Sequence, residues 1–184
     1  FMNYTNMSAA DLTNTPIIIP SWNPTIVQRT VNSFGTASYP VKVSLTGNLN
    51  AEINQQFNLS GSVAGTTNIK TVLNGVNVNA TLGNIVTIEA NGAVNLTQNA
   101  GDLLLNYIIA NGADVGIVSV GNIIDDKADE TANILGKNIT LTSTTGTIGT
   151  AFEDLDIDLI ASTLNAIAAG VINIEEINSG IDVG

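Results

Sequence analysis

GKNITLTSTTGTIGTAFEDLDIDLIAS, residues 136–162, contains two runs in which apolar and polar side chains alternate: NITLT at 138–142 and LDIDL at 155–159. Alternation of period two belongs to a half-buried strand. It assigns Ile139, Leu141, Leu155, Ile157 and Leu159 to one buried face and turns the Thr and Asp residues to water. Between the runs lie a Thr145-Gly146 turn and a short Thr-Ile-Gly step that carries Ile148. Ile148 is expected to point inward with the others.

Upstream, Gly83, Gly92, Gly101, Gly112 and Gly121 punctuate the chain at intervals of 9, 9, 11 and 9 residues, each followed by an apolar-rich run. Two such steps amount to about twenty residues, which suits one coil of a solenoid whose turns hide their apolar faces only by stacking. Strands spaced in this way also suit an antiparallel meander or sandwich. Asn74-Gly75, Asn91-Gly92 and Asn111-Gly112 are hairpin-type turn signals that point to that second architecture. Alternation resumes at Val41, whereas residues 1–40 hold all four prolines, Trp22 and no glycine rhythm. Proline cannot donate to a ladder, so 1–40 reads as an irregular junction or cap and 41–184 as the repeat region. Helix-like spacing of Leu159, Ile160, Leu164 and Ile167 makes a helix possible over 155–169, with 164–169 as the best place for a short helix or a loop. A further strand is expected at 171–174.

Composition narrows the function classes. The 184 residues are 44% hydrophobic but only 4% aromatic, a mixture of Ile, Val, Leu and Ala that suits narrow, regularly stacked interiors. Cys and His are absent, which removes disulfides, thiolate metal sites and a histidine base. The net charge of −11 falls entirely in residues 102–184, since acids and bases balance over 1–101. With five scattered cations the chain has no means to neutralise nucleic-acid phosphates or an anionic membrane surface. No apolar run is long enough to span a bilayer, and no leader with a cleavage site is present. Phe1 is not an initiator methionine and the last residues stop in mid-pattern, so the chain reads as a segment of a longer polypeptide.

Three groups of residues could carry chemistry. Asp154, Asp156 and Asp158 would project from one face of a strand about 7 Å apart, as a divalent-cation ladder or as an ordinary solvated face. Asp125, Asp126, Lys127, Asp129 and Glu130 interrupt the glycine rhythm as a charged loop expected to protrude into solvent; it lacks the spacing of a calcium-binding EF-hand. An acid pair for glycoside cleavage would have only Lys127, Lys137, Tyr107 and Phe152 beside it in the acidic half. Six Asn-x-Ser/Thr sequons occur at Asn3, Asn6, Asn58, Asn79, Asn95 and Asn138. No residue is assigned a catalytic, cofactor-binding or metal-binding role.

The order strand, Thr-Gly turn, short strand with glycine, loop, strand over 136–162 resembles the repeats of filamentous-haemagglutinin-like and leukotoxin-like adhesins of bacterial two-partner secretion. The glycine-spaced region 83–121 carries the same likeness more loosely, and residues 1–40 carry none. Asn23-Pro24-Thr25 departs from the Asn-Pro-Asn motif of that family's secretion domain. The resemblance implies a right-handed parallel β-helix, all-β, in the shaft of a secreted virulence fibre on the surface of a Gram-negative-type bacterium. It implies a non-catalytic, adhesive role without cofactors. The partners would be neighbouring repeats and an unidentified surface receptor, with no nucleic acid and no membrane insertion. A carbohydrate-binding or carbohydrate-active β-helix is the alternative.

Overall fold

The computed structural model describes residues 25–27, 39–53, 55–127 and 129–178. These form fourteen strands and no helix, and every strand pairing among them is parallel. One face stacks β2 (Tyr39–Leu45), β4 (Phe57–Val63), β6 (Val76–Leu82), β8 (Val94–Gln98) and β10 (Val115–Ser119). It continues into the second halves of β12 (Ile134–Ser143) and β13 (Leu155–Ala168). The facing ladder runs from β1 (Thr25–Val27) through β3 (Leu49–Ile53), β5 (Thr67–Thr71) and β7 (Val86–Ala90) to β9 (Leu103–Ala110). The beginnings of β12 and β13, and then β14 (Ile174–Glu176), extend it. A third, short ladder opens where the start of β9 pairs with β11 (Ile123–Asp125) and is continued by bridges from Ile123 to Ile148 and from Ile148 to Ile172.

Neighbours in each stack are next-but-one in the chain, which demands that the chain wind round and return. The result is a β-solenoid of about seven turns, and the antiparallel alternative is excluded. Residues stacked on adjacent turns lie 18 to 20 apart in the first turns, as in the pairs Asn68–Asn50 and Asn111–Asn91. The separation grows to 24 and 25 in later turns, as in Asn138–Asp114 and Thr147–Asn122. Loop insertion accounts for the growth. Residues 126–133 are added between β11 and β12, and residues 149–154 between the Ile148 bridge and β13.

Alternation builds the core. In β6 the inward set is Val76, Val78, Ala80 and Leu82, while Asn77, Asn79 and Thr81 face outward. Across the turns the inward positions form columns, such as Val41, Leu59, Val78, Leu96, Ile117 and Leu141. Each such side chain removed from water contributes about 1.5–3 kcal/mol. Phe57 is the one aromatic among the described core residues, because two facing sheets of short strands leave room for aliphatic columns and little more. Ile139, Leu141, Ile148, Leu155 and Ile157 are fully buried, as the alternation requires, and Leu159 packs against the same core half-buried.

The regularly spaced glycines sit at corners between strands, for more than one reason. A Cβ on Gly92 would lie 2.5 Å from the backbone nitrogen of Gly75 one turn away, so close approach requires glycine there. Gly112 has open space around it but a φ of 66°, which an L side chain rarely adopts. The Asn-Gly pairs therefore mark stacked corners: Asn111 Nδ2 donates to Asn91 Oδ1 at 2.7 Å, and Asn91 Nδ2 donates to the Val72 carbonyl at 2.6 Å. Another corner is closed by Gln98, which is buried. Its amide oxygen accepts from Leu82 N and its Nε2 donates to the carbonyls of Leu82, Ala100 and Asp102.

Two sequence expectations are corrected here. No helix occupies 155–169: β13 runs through it, pairing Thr163 to Ala168 with Asn138 to Ser143. Leu164, Ala166 and Ala168 turn toward the core while Ile167 is left exposed, so tertiary pairing overrides the helix-like spacing. Downstream, Ile172 makes only a single bridge, and the last strand is displaced to 174–176. Within the segment 1–40, residues 25–27 add a rung to the ladder through Asn50 to Glu52 and β2 begins at Tyr39. The remainder of that segment, with Asn3, Asn6, Pro16, Pro20 and Trp22, lies outside the described residues.

Candidate functional site

Two surface features stand out, and the first joins the two acidic segments that the sequence presents separately. The lengthened turn between β11 and β12 carries Glu130 back to the start of β13. Carboxylate oxygens of Glu130, Asp154 and Asp156 lie within 4.8 Å of one another there. Asn133 organises the approach. Fully buried, it donates Nδ2 to the Asn106 carbonyl at 3.2 Å and to Asp125 Oδ1 at 2.6 Å. Its Oδ1 accepts from Asp156 N at 3.0 Å, and its own N–H donates to the Asp156 carbonyl at 2.8 Å. One asparagine thus pins the loop to the turns before and after it.

The loop has its own internal ties. Lys127 Nζ donates to the carbonyls of Thr131 and Ala132 and to the Thr131 hydroxyl, and pairs with Asp129 at 3.4 Å. Hydrogen bonds from Thr131 hold the Asp129 carboxyl below its ordinary range. Lys127 is therefore spent on the loop and makes no ion pair with the three acids.

Alternation on β13 puts Leu155 and Ile157 in the core, as expected, but Asp156 does not face open water. It is only 2% exposed. Its carboxyl is pushed up to about 6, first by burial and then by Asp154, Asp125, Glu130 and Glu175. No described residue donates a hydrogen bond to that carboxylate. Asp154 is half-buried beside it. Asp158, the third acid of the expected ladder, takes a different partner and accepts from Asn178 Nδ2 at 2.7 Å. The three aspartates therefore do not act as an even ladder: two turn into the cluster with Glu130 and one leaves it. The residues that sequence reasoning missed are Glu130 as a member of the cluster and Asn133 as its organiser. Neither carries a local signal, because only the turn length fixes what Glu130 meets.

The second feature is the outer surface of β4, β6 and β8. Asn58, Asn77 and Asn95 stack in register, Asn77 Nδ2 donating to Asn58 Oδ1 at 2.8 Å and Asn95 Nδ2 to Asn77 Oδ1 at 3.0 Å. Ser60, Asn79 and Thr97 form the next column, and a shallow depression of about 420 Å³ lies over the two. No charged side chain among the described residues lines it. Three of the sequons, at Asn58, Asn79 and Asn95, fall on this face.

No protein-family model, characterised protein or solved structure matches the chain. The solenoid and its two surface features stand on their own geometry.

Proposed function

We propose that the chain is a non-catalytic structural and adhesive segment of a large secreted bacterial surface fibre that mediates attachment to cells. The observation that carries this reading is the unbroken parallel ladder. Each turn is held by the turns on either side, so length can be added without changing the cross-section. Such a column suits a stalk that holds a binding surface away from a cell. In this reading the partners are neighbouring repeats and a surface receptor, and the location is outside a Gram-negative-type cell.

Localisation tests it. Antibodies raised against the folded chain should label intact, unpermeabilised cells of the bacterium that encodes it, and filaments shed into the medium. Labelling that appears only after permeabilisation would overturn the proposal.

A second reading, a carbohydrate-binding β-helix, is favoured by the flat uncharged Asn and Ser/Thr face. Amide and hydroxyl groups repeated from rung to rung, about 4.8 Å apart, offer both donors and acceptors of the kind that sugar hydroxyls pair with. A glycan array would decide this reading: binding abolished by Asn77→Leu supports it, and no bound glycan removes it.

A further inference from the structure

The acidic cluster has two properties that ordinary surface acids lack together. Its three oxygens come from two chain segments that fold toward one point. One of the three, Asp156, is 2% exposed, aimed into the cluster, and has no hydrogen-bond donor or cationic partner among the described residues. An unpaired buried carboxylate is expensive unless a counter-charge joins it. We propose that Glu130, Asp154 and Asp156 bind one Ca²⁺ ion, which clips the loop of residues 126–133 to the start of β13.

Donor chemistry selects the ion. An all-oxygen, all-carboxylate set suits a hard cation. Ligand oxygens at 2.3–2.6 Å from Ca²⁺ can be at most about 5 Å apart, and the cluster is within that span. Mg²⁺ holds tightly to its water shell and needs near-ideal octahedral geometry, so three carboxylates from two chain segments suit the more adaptable Ca²⁺ better. Glu130 is exposed, so waters on that side can complete the six to eight ligands that Ca²⁺ takes. Asp125 also bears on Asp156, but its Oδ1 already accepts from Lys127 N and from Asn133 Nδ2.

The test uses the full chain, stripped with EDTA and returned to chelator-free buffer at pH 7.5. CaCl₂ is titrated in while heat is measured calorimetrically and unfolding is followed by circular dichroism. The expected result is one ion per chain and a rise in Tm of several degrees at millimolar Ca²⁺. Glu130→Gln removes one of the charges that crowd Asp156, so its Tm in EDTA should be no lower than that of wild type while its Ca²⁺ affinity falls at least tenfold. Asp158→Asn, outside the cluster, should bind as wild type does. Absence of heat and of any Tm shift up to 10 mM Ca²⁺ would overturn the proposal. Unchanged affinity in Glu130→Gln, or Mg²⁺ binding as tightly as Ca²⁺, would do the same.

Discussion

Replacing Asp156 with Asn keeps the shape of the side chain and removes its charge. The folded chain holds the Asp156 carboxyl at about 6 against an ordinary 3.8. At 1.36 kcal/mol for each tenfold change in proton affinity, that difference corresponds to at most about 3 kcal/mol. The sign follows from which state binds the proton more tightly. Below about pH 3.8 the carboxyl is protonated both folded and unfolded, and it imposes no electrostatic penalty. As pH rises toward 6 the unfolded chain ionises freely while the folded chain resists, so stability falls through that window. Above about pH 7 the full penalty is present. Asp154, Asp125, Glu130 and Glu175 enlarge it, and no cation among the described residues pairs with the cluster. In EDTA, Asp156→Asn should therefore match wild type near pH 4 and exceed it by up to about 3 kcal/mol at pH 7. Urea unfolding at pH 4, 5, 6 and 7, followed by far-ultraviolet circular dichroism, measures this directly. A variant that is less stable at pH 7, or whose advantage is the same at pH 4 and pH 7, would refute the reasoning.

Two other substitutions test how polar groups are accommodated inside the stack. Gln98→Leu leaves Leu82 N and three carbonyls without their partner at a buried corner, and should destabilise by about 2–4 kcal/mol in urea unfolding; an unchanged midpoint would contradict the assignment. Thr67 occupies an inward position on β5 with a buried hydroxyl that has no partner, so Thr67→Val should stabilise by about 1 kcal/mol, read as a higher urea midpoint.

Much of the solenoid was legible because its signal is local. A strand buried on one face must alternate, and 138–142 and 155–159 do so cleanly; the corner glycines repeat because each turn needs a bend at the same height. Where local signals were ambiguous, the stack decided. Leu159, Ile160, Leu164 and Ile167 fit a helical stripe, yet pairing with β12 sends Leu164 and the small Ala166 and Ala168 inward and leaves Ile167 in water. Ala contributes almost nothing to a hydrophobic pattern, so the period-two signal fades where β13 continues. Asn-Gly pairs read as hairpin turns because the two-residue signal is the same for a reversal and for a solenoid corner. The acidic cluster was illegible for another reason. Residues 125–130 and 154–156 meet only because the turn carrying them has an inserted loop of a particular length. Nothing near Asp156 in the sequence marks it as covered.

The central claim is the parallel, in-register stack, and rung counting by spin labels tests it most directly. The chain has no cysteine, so Lys42→Cys, Ser60→Cys and Thr142→Cys can be labelled specifically in pairs. Lys42, Ser60, Asn79, Thr97, Val118 and Thr142 occupy one outward column on successive turns. At about 4.8 Å per rung, double electron–electron resonance should place the backbones of 42 and 142 about 24 Å apart and those of 60 and 142 about 19 Å apart. The two distances should differ by one rung in the stated order. Equal distances, the reverse order, or separations unrelated to the rung spacing would contradict the solenoid.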